Sequence, residues 1–126
     1  MSSLEEHEAH CLKVLGRPWT EVHAWLDQYF VQVPGMAHRI VLHHHLGIGL
    51  GVVTFGEEAR AALELHVRND FECTPGTPED VIAIIANQAL LSLAEADILQ
   101  PILEDLWPGR PGIPWEELAV LGLRGR

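Results

Sequence analysis

The chain is expected to fold as an all-α bundle of about five or six helices. Three observations lead there: apolar residues recur at three- and four-residue steps, helix start and stop signals punctuate the chain, and no run alternates with the period of two that a strand requires. With 126 residues, 48% of them hydrophobic and 21% charged, residues 1 to 126 read as a single globular domain with one core.

Ser3 and Glu6 form a capping-box pattern, and the run after them stops at Gly16 ahead of Pro18, which predicts a first helix over roughly residues 4 to 14. In PWTEVHAWLDQYFVQV, Val22, Trp25, Leu26, Tyr29 and Phe30 share one face of an amphipathic helix that Pro34 and Gly35 close. Residues 37 to 54 are apolar on most sides apart from their histidines, the pattern of a central helix surrounded by others. Gly47, Gly49 and Gly51 each lower helix propensity by about 1 kcal/mol, so that helix is either broken there or pressed against another backbone. The Gly47 to Gly51 spacing favours close packing. No strand precedes these glycines and no GxGxxG or Gly-Lys-Ser ending is present, which excludes a phosphate loop.

Two acids open GEEARAALELHVRNDF, where Ala59, Ala62, Leu63, His66 and Val67 lie on one side of a helix from about 57 to 70. Thr77 as N-cap, Pro78 at the first helical position and Asp80 three residues after the cap make the strongest start signal in the chain. That helix runs to about Leu93, and Asp97 to Leu106 continue it or form a short helix of their own. Pro101, Pro108, Pro111 and Pro114 lead into a Pro/Gly-rich segment at about 107 to 126, with a helical turn expected at Trp115 to Leu121 and Trp107 and Trp115 as anchors.

Eighteen acids against eight bases give a formal charge of -10, which disfavours nucleic acid as a partner because phosphate-tracking surfaces need clustered Lys and Arg. Cys11 and Cys73 permit one disulfide but no framework, and the chain opens without a basic-then-apolar leader, so a reducing cytoplasm is the expected compartment. The longest apolar runs, LGIGLGVVTFG and VIAIIANQALLSLA, are too short or too interrupted for a membrane span of about 20 helical residues.

Chemistry is concentrated in the histidines, four of which (His38, His43, His44, His45) fall within eight positions. His66 and Asp70 are spaced i, i+4, so they can bind one ion together, or the carboxylate can accept the imidazole N–H. Three consecutive histidines spread over about 200° of helix and cannot all serve one site. His38 and His45 share a face, as do Arg39 and His43, whereas His38 and His43 are about 140° apart unless His38 sits in an irregular turn after Pro34 and Gly35. His7, His10 and Cys11 have ligand spacing but lie in a highly charged helix whose ends are free to fray, which disfavours a site there; His23 is read as a boundary residue, and the tryptophans and Phe55 as core. Cys73 lies past the helix of His66 and no GxSxG occurs, which disfavours a nucleophile.

HRIVLHHHLG, followed by FGEEARAALELHVRNDF and then TP ahead of Asp80, resembles a family of small, uncharacterised bacterial and phage proteins. Its pattern is HR, a His five residues after the first, a Gly, an FG and an HxxxD ahead of a proline. His38, Arg39, His43, Gly47, Phe55, Gly56, His66, Asp70 and Pro75 stand at those places, over about residues 36 to 80. The family is one of unknown function, so the resemblance implies only a choice: His43 over His44 and His45, in a site shared with His66 and Asp70. A looser similarity, to helical metal phosphohydrolases with a His, an adjacent His-Asp pair and a later Asp, is one of architecture alone, since the adjacent pair is missing.

The expected site is a metal centre in which His38, His43, His66 and Asp70 converge between two antiparallel helices on a divalent Zn, Ni, Fe or Mn ion, with Arg39 facing substrate phosphate or carboxylate or pairing with an acid, and His44 and His45 as secondary candidates. An open coordination position would make it a hydrolase by activating water. The alternative is a non-catalytic phage- or mobile-element-related interaction module whose His, Arg and Asp side chains form a structural network. Apolar residues on more than one face of VIAIIANQALLSLA lead to an expected homodimer, unless the C-terminal segment folds back over them.

Overall fold

The computed structural model describes residues 4–87 and 93–108. Among these the protein is all-α, with seven helices: α1 (Leu4–Leu15), α2 (Thr20–Leu26), α3 (Arg39–Leu42), α4 (His45–Phe55), α5 (Arg60–Phe71), α6 (Pro78–Asn87) and α7 (Leu93–Leu106). Short 3-10 turns occupy Gln28–Phe30, Met36–His38 and Glu57–Ala59. Ser3 and the turn expected at Trp115 to Leu121 lie outside the described residues.

Helix α1 packs on α2 and α5, α4 packs on α5, and α3 packs on α6 and α7. Leu26, Ile40, Leu42, Ile48, Leu63, Ile82, Ile85 and Leu99 are buried between them; each such side chain stabilises the fold by about 1.5 to 3 kcal/mol. Val81, Ile82 and Ile85, expected to form an exposed stripe, are thus covered within one chain. The Leu90, Leu91 and Leu93 side chains of that stripe are outside the described set. Among the described residues no helix is long and apolar enough to cross a membrane.

The second helix does not reach Pro34. It ends at Leu26, where Asp27 leaves helical geometry (φ -94, ψ 8) while its backbone N–H still bonds to the His23 carbonyl. Asp is a weak helix former, and here its carboxylate is engaged by His38 at 3.1 Å instead of lying on a helix face. Tyr29, in the 3-10 turn that follows, still packs against the core.

The central helix expected over 37–54 is divided into a 3-10 turn, α3 and α4. The break falls at His43 and His44, ahead of the glycines. His44 is extended (φ -159, ψ 174) and caps α4, its Nδ1 accepting from the Gly47 N–H at 3.1 Å. Its Nε2 donates to the carbonyls of Val41 and Ile40 at 2.9 and 3.1 Å. The reversal presses Gly47 onto α3 so closely that a Cβ there would lie 1.9 Å from the Leu42 carbonyl oxygen, and glycine is the one residue that fits. Gly51 is crowded by Leu63, whose Cδ2 would be 2.7 Å from a Cβ, so close packing does follow from that spacing.

At the start of α6, the Thr77 N–H donates to Asp80 Oδ2 at 3.1 Å and the Asp80 N–H donates to Thr77 Oγ1 at 3.2 Å, the reciprocal capping box the sequence predicts. Trp107, just past α7, donates from Nε1 to the Val41 carbonyl at 2.9 Å and ties that end of the bundle to α3.

Candidate metal centre

Four parts of the chain send polar side chains to one place. His7 comes from α1, His23 and Asp27 from α2 and its end, His38, Arg39 and His43 from α3 and its flanks, and His66 and Asp70 from successive turns of α5. All five histidines and Arg39 are buried, and the Asp70 side chain is 2% exposed while that of Asp27 is 29% exposed, so Asp27 forms the wet edge. His38 reaches the cluster because it lies in the 3-10 turn behind Gly35 (φ 87), where the angular separation of a regular helix does not apply.

Asp27, His43, His66 and Asp70 offer one ligand atom each, all within 4.8 Å of one another. His43 Nε2 lies 3.3 Å from Asp27 Oδ1 and 3.1 Å from Asp70 Oδ2. His66 Nε2 lies 3.4 Å from each of the same two oxygens, and the two Nε2 atoms are 3.1 Å apart. An ion about 2.0 to 2.2 Å from each donor separates neighbouring ligands by roughly 3 to 3.5 Å, which is the spacing seen.

Around these four atoms the other polar groups hold the ligands. His38 Nδ1 donates to the Gly35 carbonyl, and its Nε2 faces Asp27 Oδ1 at 3.1 Å. The second oxygen of Asp70, Oδ1, is 3.2 Å from both His7 Nε2 and Arg39 Nη2. Arg39 lies 5.3 Å from the Phe71 ring, cation over face. On the far side of His66, its Nδ1 meets His23 Nδ1 at 2.8 Å, and the His7 ring stacks on it at 3.7 Å.

Burial alone would raise the Asp27 carboxyl, yet its hydrogen bonds with His38, His43 and His66 outweigh that and hold it well below the usual carboxylate range. The same contest, won by His43, His66 and His7, holds Asp70 low. Both are therefore carboxylates at neutral pH. Burial pushes His43 down despite its two carboxylate neighbours, whereas at His66 the hydrogen bonds with Asp27 and Asp70 overcome burial and push it up. Burial, with His66 and His7 nearby, lowers His23 to about 4.

Of the residues singled out from the sequence, His43, His66 and Asp70 meet directly, and His38 joins through Asp27. Arg39 is paired with Asp70 and buried. His44 stands apart as a helix cap, and His45 is exposed. Asp27 was not among the expected ligands: an acid at the end of an amphipathic helix carries no mark of where the next helices will pass. The helix of His7 and Cys11, disfavoured as a site because it is charged and free to fray, instead buries both side chains, at 2% and 0% exposed, and His23 is fully inside, not at a boundary. His7 and Cys11 at i, i+4 did signal a shared face, but their charged neighbours hid its burial.

Fold and cluster together define an all-α protein with a buried His/Asp group able to hold a metal ion. Comparison of the chain with protein-family models, curated proteins and solved structures finds no match, which leaves the chemistry of the cluster as the guide to function.

Proposed function

We propose that the protein binds one divalent transition-metal ion, Zn, Ni, Fe or Mn, through Asp27 Oδ1, His43 Nε2, His66 Nε2 and Asp70 Oδ2, with His38 holding Asp27 or adding a fifth donor. One observation carries this reading. The four atoms make five contacts of 3.1 to 3.4 Å, the carboxylates carry no proton, and each imidazole supplies at most one N–H at Nε2. With each imidazole N–H on Nδ1, all four atoms turn lone pairs toward one point, and a cation placed there accepts them.

Asp27 and Asp70 bring two negative charges and Arg39 one positive, so a divalent ion makes the site positive by one, and a bound hydroxide would neutralise it. A hydrolase is the enzymatic form of the proposal, with water reaching the ion past Asp27 and its pKa lowered toward about 7. Elemental analysis of protein purified without a histidine tag tests it. The expected content is about one equivalent; less than about a tenth, with no uptake on titration, sinks the reading.

A second reading, a non-catalytic phage- or mobile-element-related interaction module, draws support from the buried Arg39–Asp70 pair, which links α3 to α5 without any ion. On that reading a chelator leaves melting unchanged. We also take the protein to be cytoplasmic and homodimeric, the latter supported by exposed apolar side chains such as Val31 and Val53; light scattering that shows a monomer at every concentration overturns the dimer.

A further inference from the structure

His23 and His7 are buried histidines that the four ligand atoms do not include. With His66 they form a second group whose ligand atoms lie within 4.8 Å, and two kinds of occupant fit such a group: another ion, or the protons of the rings themselves.

The ring geometry separates the two. His23 and His66 turn their Nδ1 atoms to one another at 2.8 Å, with centroids 5.1 Å apart and planes within 27°. Such a separation suits an N–H···N hydrogen bond. An ion shared by two facing imidazoles at about 2.0 to 2.1 Å each would hold the nitrogens roughly 3 to 4 Å apart. His7 lies face to face on His66, 3.7 Å between centroids and 16° between planes. Imidazole lone pairs lie in the ring plane, so those of two stacked rings run side by side and do not converge on one point.

A hydrogen bond between the Nδ1 atoms also decides which nitrogen of His66 can serve the ion. A neutral imidazole has one N–H and one lone pair. With the N–H on Nδ1, the lone pair is on Nε2, the atom that faces His43, Asp27 and Asp70. With the N–H on Nε2, the ligand is lost. We infer that His23 is a positioning residue: its Nδ1 accepts a hydrogen bond from the Nδ1–H of His66 and thereby fixes the tautomer in which Nε2 of His66 is a metal donor.

His7 braces the same ligand from its face and reaches Asp70 Oδ1 at 3.2 Å, so α1 and α2 both act on the ligands that α5 presents. Partners of this kind, an acceptor on the remote nitrogen of a ligating histidine, typically change metal affinity by about 10- to 100-fold. This inference rests on the proposed ion, and its test is arranged so that the two fail separately.

The test compares the full chain with His23→Phe, which keeps a ring but removes the acceptor, and His23→Gln, which keeps an acceptor. Zn2+ affinity is measured by competition with a chromophoric chelator, metal-free stability by urea denaturation, and the His66 tautomer by 15N NMR of the imidazoles, assigned with His66→Gln. The expected result is an Nδ1–H His66 in the Zn2+-loaded protein, Zn2+ binding about 10- to 100-fold weaker in His23→Phe, and most of that loss recovered in His23→Gln. Equal affinity in all three, or an Nε2–H His66 in the Zn2+-loaded protein, overturns the positioning role. So does uptake of a second equivalent that His23→Phe abolishes, since the three histidines would then be an ion site. No Zn2+ uptake by the unaltered protein together with an Nδ1–H His66 removes the ion while leaving the hydrogen bond, and so overturns the metal reading and the role at the metal with it.

Discussion

Asp27 Oδ1 lies 3.3 Å from His43 Nε2, a contact between the end of α2 and the break that separates α3 from α4. It exists because both residues stand where a helix stops and the chain is free to turn a side chain inward. Asp27→Asn is nearly isosteric but removes the charge, and it is expected to weaken Zn2+ binding by about 10- to 100-fold while the metal-free fold survives. Isothermal titration beside an exposed control, Glu57→Gln, checks this; an unchanged affinity would take Asp27 out of the site.

A ligand bound only by the folded state raises stability by mass action, about 2.7 kcal/mol at a hundred times Kd. For a chain of this size that corresponds to a rise in Tm of roughly 10 °C. Melting curves with added Zn2+ and then with excess chelator should show the rise and its reversal. A flat Tm in both conditions favours the structural network over the metal.

Gly47 and Gly49 separate crowding from helix propensity within one helix. A Cβ at Gly47 would meet the Leu42 carbonyl at 1.9 Å, whereas one at Gly49 meets nothing within 4 Å. Gly47→Ala is expected to destabilise by about 3 kcal/mol or more, because a backbone atom cannot swing aside. Gly49→Ala should be neutral or stabilising by up to about 1 kcal/mol. Urea midpoints measure both, and equal effects would mean that the turn at His44 is not as tight as the geometry states.

The two cysteines are free, Cys11 buried and Cys73 exposed. Burial pushes the Cys11 thiol up, and a thiol reacts as its thiolate, so Cys11 is doubly protected. A disulfide-exchange reagent at pH 8 should therefore titrate one thiol rapidly in the native protein and the second only on unfolding. Two fast thiols would show that α1 opens readily.

Helix content was legible in the sequence because it rests on local signals: the stripe from Val22 to Leu26, the Thr77 and Asp80 box, the stop at Gly16. So were His66 and Asp70 as a pair, since a spacing of four residues puts two side chains on one face of any helix. Where each helix stops was less legible. Asp27 stands at the end of α2 with its partner, His38, eleven residues further on; the partners of His44, the Ile40 and Val41 carbonyls and the Gly47 N–H, are near in sequence, but histidine is not a residue type that marks a helix start. The gathering of Asp27, His7 and His23 around His66 was decided by tertiary structure alone. Period and spacing report which residues share a face of one helix, but which faces meet is settled by packing, and the charged surroundings of His7 gave no sign that α5 would cover it. The sequence by itself thus determined an all-α chain and a candidate pair of ligands on one helix. Only the packing of α1, α2 and α3 against α5 decided what stands opposite that pair, because contact between separate helices depends on how their buried faces fit together and not on any interval along the chain.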